Sequence, residues 1–328
     1  MSTLQRMAGT HPGIWFVALL LAAYGCLWLG PSEVTWFSPV LLELRLPRVI
    51  GALVVGAGMS LSGVAMQVLL RNPLADPFIL GLSSGASLGV VLALVALPNL
   101  ALGTVSLSIP ASLGSMGAAL VVFGIARGRG AFLPSTRLLL SGVALAAVLS
   151  SLAAFLLQVA PSERVLRASL YFSSGSLASS SLSTLLPAAV VVAVCGLWMR
   201  HSSRPLDQLL LGERSARALG VSTVRIKNQL LMGSSLLTGL LVAVAGPIGF
   251  IGLVAPHVAR LLLGPGHKKL TPLAMILGAG MLLTADTLGR CLFQPREIPA
   301  GLLTAATGGP FFLWLLRRQS YGFGGRDA

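Results

Sequence analysis

The chain has 328 residues, 55% of them hydrophobic and 10% charged, and its mean hydropathy is +0.88. An ordinary soluble domain carries roughly 25% charged residues, so this composition excludes one and calls for a chain whose main solvent is lipid. The formal charge of +14 invites a nucleic-acid reading, which the placement of the 23 basic residues decides.

Apolar runs bounded by charge, Pro and Gly predict about ten membrane helices, at 14–30, 47–70, 79–98, 109–126, 138–158, 182–199, 229–249, 251–264, 272–291 and 299–316. The expected fold class is all-α: a polytopic membrane protein forming one transmembrane domain over 1–328, with its largest polar loop at 200–228. Arg6 before the first apolar run has the outline of a secretory signal, and Ala23-Tyr24-Gly25-Cys26 faintly that of a lipoprotein cleavage site. Ala23 and Tyr24 fit such a site poorly, so the run reads as a retained first helix.

The second and third runs are crowded with small residues: Gly56, Gly58, Ser60, Ser62 and Gly63, then Gly81, Gly85 and Gly89 with Ser84 and Ser87 between them. Small side chains let membrane helices approach closely, and packing is the commoner role for such stripes. After the fifth run, Ser173 to Thr184 (SSGSLASSSLST) is rich in hydroxyls but has no base beside it, which favours a polar cavity wall or loop over a nucleophile.

The stretch LDQLLLGERSARALGVSTVRIKN, Leu206 to Asn228, is the longest polar interval. Leu206, Leu209 and Leu210, then Ala216, Leu219 and Gly220, recur near helical spacing around a break at Gly212, predicting two short helices. A solvated loop explains Glu213, Arg214 and Arg217 but not two apolar faces without a span to cover them. A docking surface for a partner explains both.

Beyond the loop, Pro247, Pro256 and Pro310 interrupt apolar stretches and predict broken helices beside protein or a watery cavity. Asp286 is the clearest ionisable residue inside a run; Arg290 lies four residues on, so an ion pair on one helix face is expected rather than a proton relay. His257, near Arg260, reads as a helix-end hydrogen-bonding residue and not a metal ligand. Cys26, Cys195 and Cys291 are odd in number and lack ligand spacing, so neither disulfides nor zinc are expected.

With a cytoplasmic N-terminus, only Arg45, Arg48, Arg164, Arg167, Arg290 and Arg296 of the 23 basic residues fall outside, as the positive-inside rule requires. The basic charge is therefore topogenic and scattered among short loops, and no nucleic-acid partner is expected. There is no G-x-x-x-x-G-K-[ST], Gly-x-Ser-x-Gly or His-Glu-x-x-His sequence, so neither an ATP-binding P-loop nor a known catalytic helix or elbow is present. No catalytic residue, metal ligand or bound cofactor is assigned.

Four motifs in order carry a resemblance over nearly the whole chain. They are LRLPR (Leu44 to Arg48) leading to SGVAMQVLLRNPLADP (Ser62 to Pro77); LLLGERSARALGV (Leu209 to Val221); GPIGFIGLVAPHVAR (Gly246 to Arg260); and EIPAGLLTAATGGPFF (Glu297 to Phe312). The chain resembles the permease subunits of bacterial ABC importers for iron chelates, haem and vitamin B12. The resemblance implies a homodimer of ten-helix subunits in the inner membrane, with its lipid as surroundings, both termini cytoplasmic and the translocation path at the two-fold axis. It implies two cytoplasmic ABC ATPase subunits, which would hold the ATP-Mg, and a periplasmic substrate-binding protein.

By the same resemblance, Leu209, Leu210, Leu211, Gly212, Glu213, Arg214, Ala216, Arg217, Leu219 and Gly220 couple to the ATPase. Arg45, Arg48 and Arg290 correspond to arginines that dock the binding protein, and Tyr171, Phe172, Ser173, Ser174, Gly175 and Ser176 to a segment lining the path. Haem, ferric siderophore and corrinoid all suit a wide hydroxyl-rich wall; iron chelates are favoured because they make up most of the family. A gradient-driven secondary transporter is the rival, with Asp286 as its one candidate ion site, and a membrane-embedded enzyme is a third reading that no acid, base or metal constellation supports.

Overall fold

The computed structural model describes residues 12–30, 38–96, 104–127, 135–159, 163–292, 294 and 296–318. Of the charge pattern above, Arg6, Arg129 and Arg326 lie outside the described residues, as do the last two positions of the run at 79–98. Helix is the only repeating structure among the described residues. In chain order the helices are α1 (Pro12–Trp28), α2 (Leu46–Leu70), α3 (Leu82–Ala96), α4 (Thr104–Arg127), α5 (Ser135–Gln158), α6 (Glu163–Ser173) and α7 (Leu182–His201). They continue with α8 (Ser203–Leu210), α9 (Glu213–Ala218), α10 (Thr223–Ala245), α11 (Ile251–Leu263), α12 (His267–Cys291) and α13 (Ala300–Arg318).

A π-helical turn, Val40–Arg45, runs straight into α2, and a 3-10 turn, Pro77–Leu80, precedes α3. Five helices are long and apolar enough to cross a membrane: Val40–Leu70, Arg137–Gln158, Leu182–His201, Thr223–Ala245 and His267–Cys291. Five shorter apolar helices, in α1, α3, α4, α11 and α13, occupy the positions of the remaining predicted runs.

The bundle is organised around α2. From Met59 to Leu70 every residue of this helix is buried, because all but Gln67, which accepts from Arg260, are apolar or small and the helix packs against α7, α10, α11 and α12. The small residues set these contacts: a Cβ on Gly63 would lie 1.8 Å from the carbonyl oxygen of Gly252 in α11, and one on Gly56 2.3 Å from that of Gly278 in α12. A Cβ on Gly85 would likewise meet the Gly114 carbonyl, joining α3 to α4. Interhelical hydrogen bonds reinforce the packing, with Ser60 Oγ donating to the Ala274 carbonyl at 2.7 Å and Ser62 Oγ sharing a proton with Thr238 Oγ1 at 2.7 Å.

By contrast, α5 and α7 sit at the periphery, where Leu140, Val143, Val148 and Phe155 of α5 and Leu186, Val190, Val194 and Leu197 of α7 are exposed. In a membrane that surface is covered by hydrocarbon rather than water.

Two local expectations change. Only Pro247 interrupts the helices, in the turn between α10 and α11; Pro256 and Pro310 lie inside α11 and α13. An internal proline removes one backbone hydrogen bond, which a helix packed in a membrane tolerates. The hydroxyl-rich segment is preceded by an extra helix, α6, too short and too charged at Glu163 and Arg167 to register as an apolar run. Those two side chains pair at 3.1 Å one turn apart on its exposed face.

Candidate functional site

Charged and polar side chains gather at two ends of the bundle. At one end, LRLPR forms the junction of the π-helical turn with α2, and Pro47 is accommodated in the first turn, where no intrahelical N–H is needed. Arg48 Nε donates to both Asp286 oxygens of α12, at 2.8 and 3.1 Å, while its Nη1 donates to Glu297 Oε2 at 2.7 Å. Arg290 Nε lies 3.2 Å from Asp286 Oδ2 and its Nη2 donates to Thr287 Oγ1 at 3.3 Å. Arg45 Nη1 donates to the Leu27 carbonyl at the end of α1 at 3.0 Å.

The expected Asp286–Arg290 pair is therefore present, but Asp286 makes its shorter contacts with Arg48, 238 positions away in sequence. Nothing in local spacing could reveal that partner, and Glu297 completes a network that sequence reasoning missed. Asp286 is 1% exposed, Arg45 and Arg290 4% and Arg48 9%, so the three arginines do not project separately from the surface. They line one pocket of about 240 Å³ together with Val40, Leu44, Ala178 and Glu297. Burial of several guanidinium groups is costly unless carboxylates face them, which is what Asp286 and Glu297 supply.

At the other end lie the two short helices predicted around Gly212, observed as α8 and α9. Gly212 has φ +105°, a conformation that L side chains rarely adopt, and it lets the chain reverse between them. The apolar faces are not left uncovered as the sequence implied. Leu206, Leu209 and Ala216 are fully buried, and α8 packs on α2, α10 and α12 of the same chain. What remains outward is the tip: Leu211 is 66% and Leu219 56% exposed, with Arg214 and Gly220 exposed nearby.

Buried charge anchors this tip. Glu213 pairs with Lys227 of α10, itself buried, and with Arg217 at 3.5 Å; Arg217 Nε also donates to Thr223 Oγ1 at 3.1 Å. Asp207 of α8 accepts from the backbone N–H of His267 at 3.0 Å and contacts its Nδ1 at 2.5 Å, so it caps the start of α12. Asp207, Lys227 and His267 had no signal in the sequence, since their partners are set by tertiary packing.

The segment at 171–176 divides into two. Tyr171 and Ser173, at the end of α6, are exposed and Phe172 packs on the core. Gly175 and Ser176 are buried: the Ser176 N–H donates to the Ala245 carbonyl at 2.8 Å, and the Gly301 N–H donates to the Gly175 carbonyl at 2.9 Å. They tie α6 to the ends of α10 and α13 and present no wall in the single chain, while Ser174 Oγ donates to the Tyr171 carbonyl at 2.7 Å. His257 is buried within α11, and neither ring nitrogen has a hydrogen-bond partner among the described residues, so the helix-end bonding role is not seen. Among the described residues no group of three His, Cys, Asp or Glu is placed to hold a metal ion.

Comparison with known proteins gives concordant matches. The model of the FecCD transport family matches residues 13–318. The chain is 42% identical over 306 residues to the hemin transport system permease protein HmuU of Yersinia pestis, covering 92% of this chain and 89% of that protein. It is 39% identical over 277 residues to the vitamin B12 import system permease protein BtuC of Vibrio parahaemolyticus, covering 84% and 82%. A solved structure described as an inward-facing conformation of a metal-chelate type ABC transporter superposes with a TM-score of 0.84 at 31% identity, covering 97% of this chain and 100% of that one.

Proposed function

The chain belongs to the FecCD transport family, and we propose that it is the permease of an ATP-driven importer that carries an iron chelate, haem or a ferric siderophore, from periplasm to cytoplasm. Ten helices cross the inner membrane, both termini face the cytoplasm, and two copies form the path about a two-fold axis. Two separate ATPase subunits hold ATP-Mg and hydrolyse it, and a periplasmic binding protein delivers the ligand. The observation that carries this reading is the construction of α8 and α9: their inner faces are locked to α2, α10 and α12, while Leu211, Leu219 and Arg214 stay outward at the tip.

Such a pair can pass a push on its tip into the spans without bending within itself, which is what alternating access driven by an external ATPase needs. At the opposite end, the pocket lined by Arg45, Arg48 and Arg290 gathers guanidinium groups suited to acidic side chains of a docking protein. Around the path, exposed Tyr171 and Ser173 contribute to a wide, weakly binding wall suited to a bulky ligand that must be released. Vitamin B12 is the second reading, favoured by the relative named for it.

The test is uptake into proteoliposomes holding this subunit, its ATPase and its binding protein, with haem, a ferric siderophore and cobalamin compared. ATP-dependent accumulation of haem or the siderophore alone supports the iron-chelate reading. Accumulation of cobalamin alone replaces it with the second.

A further inference from the structure

A cavity of about 670 Å³ opens where the end of α7, the start of α8 and the start of α12 meet, and its lining includes Leu197, Arg200, Arg204, Asp207 and Lys268. Among the described residues, no carboxylate forms an ion pair with Arg200, Arg204 or Lys268. Asp207, the acid in this lining, is already committed to the His267 backbone and ring. Three cations from three helices thus converge on one space whose one carboxylate, Asp207, is held by His267 rather than by them.

The helix that leads to this cavity carries a second feature. Leu186, Val190, Val194 and Leu197 are all exposed and recur every three or four residues, forming one apolar stripe along α7 that ends one turn before Arg200. With Leu182, also exposed, the stripe runs to Leu197 over roughly 22 Å at 1.5 Å per residue, long enough for an acyl chain, which spans roughly 15 Å in one leaflet, to lie against it. An apolar helix face that ends at a cavity lined by three cations has the outline of an amphiphile with an anionic head.

We propose that this cavity holds the phosphate headgroup of an anionic phospholipid whose acyl chain lies along α7. Its placement in the cytoplasmic leaflet rests on the topology proposed above. Basic pockets between helices at that level are suited to lipid headgroups, since the phosphate gains charge-assisted hydrogen bonds while the chains never leave hydrocarbon. Bound there, the phosphate bridges Arg200 of α7 and Arg204 of α8 to Lys268 of α12, the same pair of helices that Asp207 and His267 join. The lipid therefore acts as a second clamp between α8 and the long helix α12.

The test uses the full chain in nanodiscs with equal parts of phosphatidylglycerol and phosphatidylcholine, and native mass spectrometry of the lipid it retains. The expected result is a preference for phosphatidylglycerol of roughly fivefold or more, lost in R200Q/R204Q/K268Q and kept in R200K/R204K. An unchanged preference in the glutamine variant, or none in the unmodified chain, overturns the proposal. A parallel arm adds inorganic phosphate to discs of phosphatidylcholine alone: stabilisation there that depends on Arg200 and Arg204, without any lipid preference in mixed discs, overturns the lipid source in favour of a free anion. Loss of ATPase co-purification in the glutamine variant with lipid preference intact assigns the cavity to an acidic protein surface instead. Because the lipid-preference readout needs neither ATPase nor transport, its failure leaves the importer reading standing.

Discussion

The arginine pocket at one end of the bundle and the short helix pair at the other both place charge where apolar residues dominate, but they do so in opposite ways. Around Asp286 the charges face each other: Arg48 and Arg290 converge on one carboxylate that is 1% exposed, and the group joins α2 to α12. In α8 and α9 the buried pair of Glu213 and Lys227 is a pin at the base, and the tip beyond it presents Leu211, Leu219 and Arg214 outward. The first arrangement ties two long helices together through buried, mutually facing charges. The second fixes the base of a short helix pair and leaves its tip exposed.

If that contrast is right, the two ends respond differently to substitution. The largest effect is expected from Asp286→Asn, which leaves Arg48 and Arg290 buried without their shared counter-charge and should cost about 3–5 kcal/mol. Thermal unfolding of the purified chain in detergent reads this directly, and a near-neutral result would remove the claim that Asp286 ties α2 to α12. Glu213→Gln should cost less, about 1–3 kcal/mol, because α9 can shift to let water reach Lys227. Its clearer signature is weaker co-purification of the ATPase while helix content is preserved.

Asp76, in the turn between α2 and α3, sharpens the picture through pH. Burial raises its carboxyl from 3.8 to about 6, against the opposing pull of the Phe78 N–H that it accepts at 2.9 Å. Between about pH 4 and 7 the folded chain then binds more protons than the unfolded one, so stability falls as pH rises through that window, by about 3 kcal/mol, and is flat above it. Asp76→Asn keeps the acceptor for Phe78 and should abolish the slope; melts recorded across that range check it. The smallest effect on folding is expected from Leu219→Asp, within about 0.5 kcal/mol for an exposed position. The same change should reduce ATPase binding at least about tenfold, or about 1.4 kcal/mol, measured by titration of the ATPase onto the reconstituted subunit.

Much of this architecture is legible in the sequence because membrane helices announce themselves by length and uniform apolarity. The break at Gly212 and the packing roles of Gly56 and Gly63 were readable too, since a special conformation or a close crossing demands glycine. What escaped depends on distance in the chain. Arg48 finds Asp286 across 238 positions and Asp207 finds His267 across 60, and no periodicity encodes such pairs. Helix α6 escaped for a different reason, because an amphipathic helix of 11 residues lying beside spans has neither their length nor their apolarity. Burial of Leu209 and Ala216 was missed because the sequence shows an apolar face but not which neighbour covers it.

The most direct measurement is uptake of the accepted ligand into proteoliposomes with the ATPase present or omitted, the latter under an imposed proton or sodium gradient. Accumulation that requires both ATPase and ATP, and is absent under either gradient alone, is the predicted result. Gradient-driven accumulation by this chain without an ATPase would contradict the account and make the buried Asp286 an ion site rather than a structural one.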